Sequence, residues 1–184
     1  MMGDTSDDMS SFFQKEAPSD YLETWTQQLA QEKESVKQKN KGAILLKLGQ
    51  EYMAWSAIAC LKILAARPIH SVPHRSHPVF KGFSAMNGNL IPCFSLMRLL
   101  NIKTTLPIDQ QQVILTGEEH QMSTMLVEHI EGYIRFHDDD ILPLPSNFSQ
   151  TTSCFSQGLL AWHGQYVPLL DEALVLSDFE RCMQ

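Results

Sequence analysis

The chain repeats itself. Residues 81–100 align without a gap on residues 157–176, at an offset of 76. Gly82 meets Gly158, Ala85 meets Ala161, Gly88 meets Gly164 and Pro92 meets Pro168, and most other pairs are apolar on apolar. Two earlier landmarks keep the same order. Gly49-Gln50 corresponds to Gly117-Glu118-Glu119 at an offset of 68, and Ile69…Pro73 to Ile141…Pro145 at 72. A unit stated twice, with a turn at its centre, constrains the architecture before any other argument begins.

Each unit reads as β structure. Ala43–Leu48 and Glu51–Ser56 flank Gly49-Gln50, and Val79–Met86 and Asn89–Leu96 flank Asn87-Gly88. Asn-Gly between apolar runs is a strong hairpin signal, because both residues accept the positive φ of a type I′ turn. Pro92 inside a return strand predicts an edge strand or a bulge, since proline cannot donate to a ladder. In the second unit, 113–116 and 120–127 flank Gly117-Glu118-Glu119, and 155–162 and 166–170 flank His163-Gly164. Short strands with regular turn signals predict small closed barrels. The expected fold class is all-β, with a first barrel over about 43–105 and a second over about 106–176. Leu174–Cys182 reads as a C-terminal helix. Residues 1–18 are polar and acidic and read as disordered. A helix over about 20–38 carries a thin stripe of Tyr21, Leu22, Trp25, Leu29 and Val36. Trp25 serves either to dock that helix on the barrels or to contact a partner.

Composition narrows the function classes. The net charge is −7, and no segment concentrates Lys and Arg, which argues against binding to nucleic acid or to an anionic membrane. The longest mostly apolar stretch, 52–66, is interrupted by Lys62 and falls short of the roughly 20 residues that cross a bilayer. No leader pattern opens the sequence. The four cysteines are widely spaced and form no CxxC pair, so they read as reduced thiols in a cytoplasmic protein.

Candidate chemistry is sparse. His70, His74 and His77 lie close together, but no Cys, Asp or Glu nearby completes a zinc set. Three prolines keep that segment extended, so it reads as a solvated loop. Asp138-Asp139-Asp140 lacks the spacing of a calcium loop and reads as an acidic turn. Cys60 and Cys93 stand in apolar strands, where thiols are inert. No phosphate-cradling glycine loop is present. No cofactor or metal is implied, and the residues point to a two-unit β protein that binds other proteins.

Gly49…Glu51-Tyr52, Ile69…Val72-Pro73 and Lys81-Gly82-Phe83…Asn87-Gly88…Leu90-Ile91-Pro92 resemble the first half of CheW-type chemotaxis adaptors. Asp139-Asp140-Ile141…Pro143…Pro145 and Gly158-Leu159…Gly164 are similar to the second half. Arg67-Pro68-Ile69-His70, Pro73-His74-Arg75, the Trp25-Thr26 segment and 158–164 look closer still to the WspD type, the CheW-like adaptor of Wsp surface-sensing pathways. The resemblance implies two five-stranded SH3-like barrels and no enzymatic activity. It implies an adaptor between a methyl-accepting chemoreceptor, through its helical hairpin tip, and the regulatory domain of a CheA-type histidine kinase. In the Wsp branch the kinase drives a diguanylate cyclase and biofilm formation. The alternatives are a paralogue serving a flagellar array and an oligonucleotide-binding barrel.

Carried residue by residue, the partner-binding set implied is Cys60, Lys62, Val79, Phe80, Gly82, Asn87 and Gly88. Two positions depart from the family pattern. Asn87 stands where the family has Arg, and Lys62 where it has Glu. The first loses a guanidinium fork and the second reverses a charge, so the resemblance implies a kept fold and a changed choice of partner.

Overall fold

The computed structural model describes residues 41–183 except 74–76, 87, 105, 118–120 and 147. The helix expected over 20–38, Trp25, His74, Asn87 and the tip of the Gly117 hairpin lie outside the described residues. Among the described residues eleven strands form two sheets. The strands are β1 (Lys41–Leu48), β2 (Glu51–Ser56), β3 (Cys60–Ala65), β4 (Ile69–His70), β5 (Phe80–Met86), β6 (Asn89–Ser95), β7 (Gln112–Thr116), β8 (Ser123–Val127), β9 (His129–Phe136), β10 (Ser156–Trp162) and β11 (Gln165–Leu170). The helices are α1 (Leu96–Leu99), α2 (Gln150–Cys154) and α3 (Glu172–Arg181).

The sheet orders are β10-β11-β2-β1-β9 and β3-β7-β8-β6-β5-β4. The boundary expected near residue 105 is therefore corrected. The hairpin β1–β2 of the first repeat completes the sheet of the second repeat, and β7–β8 completes the sheet of the first. The reason lies in two short crossovers. Only Glu128 separates β8 from β9, and three residues separate β2 from β3. One residue cannot make a hairpin turn, so the chain runs straight out of one sheet into the other. The result is barrel A, built from β3–β8, and barrel B, built from β9–β11 with β1–β2.

Period-two alternation fills three cores. Met86, Ile91, Cys93, Val113 and Leu126 fill barrel A, with Leu64 and Ile69 packed against them. Ala43, Leu45, Ala54, Phe136, Leu160, Val167 and Leu169 fill barrel B. The alternate positions Ile44, Leu46 and Leu48 of β1, with Ile114, Met125 and Val127 of β7 and β8, meet in a third core between the barrels. The exchanged hairpins are thus apolar on both faces, the pattern of a strand buried on both sides. Trp55 is wholly buried in this junction, and α3 packs into it through Val175 and Phe179. Asp171 caps α3 by accepting from the N–H groups of Ala173 and Leu174 at 3.0 and 3.1 Å.

The repeated glycines and prolines have structural jobs. A Cβ on Gly82 would lie well inside contact with the carbonyl oxygen of His70, and φ there is +127°. A Cβ on Gly158 would lie 2.6 Å from the carbonyl oxygen of Leu142. Both glycines sit at register shifts in their hairpins, and both let a neighbouring strand or bridge approach closely. Pro92 is not on an edge, because β6 lies between β8 and β5. Its carbonyl faces β8, accepting from Oγ1 of Thr124 at 3.0 Å. Its nitrogen faces the same way, and pairing with β8 begins only at Cys93. The missing N–H therefore falls where no ladder bond is needed. Pro168 repeats this, with pairing to β2 at Leu169↔Ala54.

Candidate protein-docking surface

Barrel A offers a free strand. Among the described residues β3 is hydrogen-bonded to β7 alone and forms one margin of its sheet. A bulge between Cys60 and Lys62 twists it. Three large apolar side chains stand in solvent along this margin: Ile58 is 82% exposed, Leu61 53% and Ile63 43%. An apolar edge with unpaired backbone groups is costly to leave bare, and it is a template for a partner strand or an apolar partner face.

The predicted residues divide around this margin. Cys60 is half-buried on β3, and burial raises its thiol above the usual range, outweighing a backbone hydrogen bond from Lys62. It is a packing residue with a neutral sulfur. Lys62 is exposed and lines the mouth of barrel A with Arg67, around a cavity of about 60 Å³ walled by Leu64, Met86, Leu115 and Met122. Among the described residues no carboxylate pairs with either cation. Gly88 is exposed at the tip of β5–β6 with φ +81°, and a Cβ there would meet nothing. Asn87 lies outside the described residues. Gly82 is buried beneath β4. Val79 and Phe80 are buried in the junction core, so they shape the surface from beneath and do not stand on it.

The margin itself was visible in the residues only in part. The residues place Cys60 in an apolar strand but do not bound that strand, because the apolar residues of 60–65 follow no clean alternation. A charge pattern also went unread. From residue 60 to residue 127, the span of barrel A, the chain carries six Lys and Arg and three Asp and Glu, whereas 128–184 carries nine acids and two bases. The six bases are spread thinly, so no basic run catches the eye; the signal is the scarcity of acid. Barrel A is in consequence the basic end of the protein and barrel B the acidic one. Burial, and after it the nearby Arg98, lowers the pKa of Lys81 on β5.

Other candidate chemistry is not assembled. Among the described residues no group of three or more His, Cys, Asp or Glu could hold a metal ion. Asp138–Asp140 forms a 3-10 turn capped by His137, whose Nδ1 accepts from the N–H of Asp139 at 3.3 Å. Lys41 donates to Asp138 at 2.6 Å and ties the start of β1 to that turn. No helix among the described residues is long and apolar enough to cross a membrane.

The profile of the CheW-like domain matches residues 42–180, most of the chain. The chain belongs to the CheW-like domain family. Among similar proteins, a chemotaxis protein CheW from Rhizobium meliloti (strain 1021) is 23% identical over 138 residues, spanning 75% of this chain and 88% of the relative. The crystal structure of the scaffolding protein TtCheW from Thermoanaerobacter tengcongensis superposes with a TM-score of 0.63 at 15% identity, covering 71% of this chain and 88% of that one. This likeness is one of fold. It establishes the pair of SH3-like subdomains, and the strand exchange described above is how this CheW-like chain builds them.

Proposed function

We propose that this CheW-like chain is a non-enzymatic scaffold that joins a methyl-accepting chemoreceptor to a CheA-type histidine kinase. The observation that carries the reading is the bare β3 margin of barrel A, with Ile58, Leu61 and Ile63 in solvent beside Lys62 and Arg67. A two-barrel protein of this family with such a margin has a surface to offer and no reaction to run. The names of the similar proteins, a chemotaxis protein and a scaffolding protein, support it. In this reading the kinase's regulatory domain meets barrel A around Cys60, Lys62 and the Asn87-Gly88 tip. Gly82, Val79 and Phe80 hold that surface in shape. A receptor hairpin tip meets the neighbourhood of the barrel junction. The scaffold works in the cytoplasm and is recruited to receptor clusters.

The branch of the pathway follows from the departures. Lys62 and Asn87 change the polar contacts of the margin while the glycine scaffold stays, which suits a kinase distinct from that of a flagellar array. With the resemblance at 67–75 and 158–164, this favours a Wsp-type pathway whose output is a diguanylate cyclase and biofilm formation. Co-precipitation of the full chain with a Wsp-type receptor and kinase, and in parallel with a flagellar pair, tests both levels. Capture of the Wsp pair alone is expected. Capture of the flagellar pair alone overturns the branch, and capture of neither overturns the scaffold.

A further inference from the structure

Barrel B carries a cleft that the docking surface of barrel A does not use. It opens because β2 and β11 run parallel and pair at Leu169↔Ala54, while Pro168, next in line, has no N–H to extend the ladder. Below that pair a cleft of about 380 Å³ lies between the start of β2 and the start of β11, with Phe148 on its flank. That volume is within the range of built ligand sites. Its walls mix the rings of Tyr52, Phe148 and Tyr166 with polar side chains. Tyr166 is 63% exposed, and Tyr52 is half-buried and held against Trp162 with ring centroids 5.1 Å apart. Glu51 is the one charged side chain among the described residues lining it, and Gln165 adds an amide. Lys47, 6.0 Å from the Tyr52 ring, is not part of the lining.

The repeat supplies an internal control. Barrel A has a larger cleft, of about 740 Å³, over its own parallel pair, between β6 and β8, where Leu90, Pro92 and Met122 hold the matching places and Phe83 and Glu180 also line it. Leu90 and Tyr166 are repeat partners at the offset of 76, as are Pro92 and Pro168. Counted back from the register pairs, Met122 and Tyr52 hold matching places. Barrel A thus folds with Leu and Met at these positions, and of the two tyrosines only Tyr52 packs against a core, while Tyr166 stands in solvent.

An exposed tyrosine ring beside a half-buried one, hydrogen-bonding groups in the same groove and one acid suit one class of occupant. A polyproline II segment has no internal hydrogen bonds, offers its carbonyls to donors and lays its rings on aromatic faces. A basic side chain on it would complement Glu51. We propose that this cleft docks an extended, proline-rich segment of a protein partner that carries an arginine or lysine.

Amide shifts of the isotope-labelled full chain, titrated with a proline-rich peptide carrying one arginine, test this. Shifts centred on Tyr52, Gln165 and Tyr166 are expected. The arginine peptide should bind about threefold or more tightly than its glutamate counterpart. Tyr166→Ala should weaken binding about fivefold or more without changing the melting temperature, because the ring is in solvent. Leu90→Ala in the sister cleft should leave binding unchanged. No shifts at millimolar peptide, shifts centred elsewhere, equal binding by a Gly-Ser peptide of the same length, or undiminished binding by Tyr166→Ala would each overturn the proposal. Capture of receptor and kinase by Tyr166→Ala is measured in parallel. Its outcome bears on the scaffold alone, so the two readings fail separately.

Discussion

The carboxylate of Glu128 accepts a hydrogen bond from the backbone N–H of Gly49 at 2.8 Å, across 79 residues of sequence. Glu128 is the one-residue crossover from β8 to β9, and Gly49 is the turn of β1–β2, with φ +62°. The bond ties the exchanged hairpin to the point where the chain changes barrels. Replacing Glu128 with Ala leaves a part-buried N–H without its charged acceptor. The expected cost is about 1–2 kcal/mol, with Glu128→Gln recovering much of it. Urea unfolding with an unchanged m value checks this.

Gly82 and Gly88 both have positive φ, and they predict different losses. At Gly88 nothing surrounds an added Cβ, so Gly88→Val carries backbone strain alone, about 1–3 kcal/mol. At Gly82 the strain is joined by a collision with the His70 carbonyl. Gly82→Ala is expected to cost about 3 kcal/mol or more and to detach β4 from β5. Thermal melts rank the two, and equal losses would contradict the close approach of β4.

The ring of Phe179 on α3 stacks on Phe94 of β6, with centroids 4.4 Å apart and planes within 2°. Both are fully buried in the junction. Phe179→Ala removes the deepest anchor of α3, at about 3–5 kcal/mol. Calorimetry measures the loss, and binding of a dye for exposed apolar surface should rise with it.

Burial raises the Cys93 thiol to about 11, against a smaller opposing effect of the Thr124 hydroxyl. The neutral thiol is the form the folded state favours. Its contribution is therefore complete below the ordinary thiol pKa and is lost as pH rises towards about 11. Stability should fall over that window by on the order of 1–3 kcal/mol, and less steeply in Cys93→Ala. Thiol labelling at pH 8 should modify the exposed Cys154 and spare Cys93.

Lys62 is exposed and, among the described residues, has no acidic partner. Lys62→Glu is expected to move stability by no more than about 0.5 kcal/mol. It should weaken capture of the kinase by about fivefold or more if the margin docks it. Unchanged capture would remove Lys62 from the interface.

The hairpins were legible because their turns are chemical. Gly49, Gly88 and Gly164 all take positive φ, and a glycine between apolar runs announces that. Strand exchange was not legible, because it depends on what is absent. Glu128 offers no turn residue, and the lack of a turn sends β9 away from β8. Pro92 was misread for a related reason. Proline marks a missing N–H but not the side on which it is missing, and only the neighbour β8 reveals that. Of the candidate surface, Lys62 and Gly88 were named through the resemblance, and both are exposed. The burial of Val79 and Phe80 could not be read from the residues, since both belong to a core assembled from distant hairpins.

The exchange of hairpins also sets an order on the ribosome. Barrel A is one continuous piece from β3 to β8 and can close as soon as it emerges. Barrel B cannot. Among the described strands its first two leave the tunnel before the others and, apolar on both faces, must wait for β9 and β11. A newly made chain thus carries a hairpin that is incompletely covered until β9 and β11 follow. Slower translation of the final third should lengthen that exposure and raise the demand for chaperones.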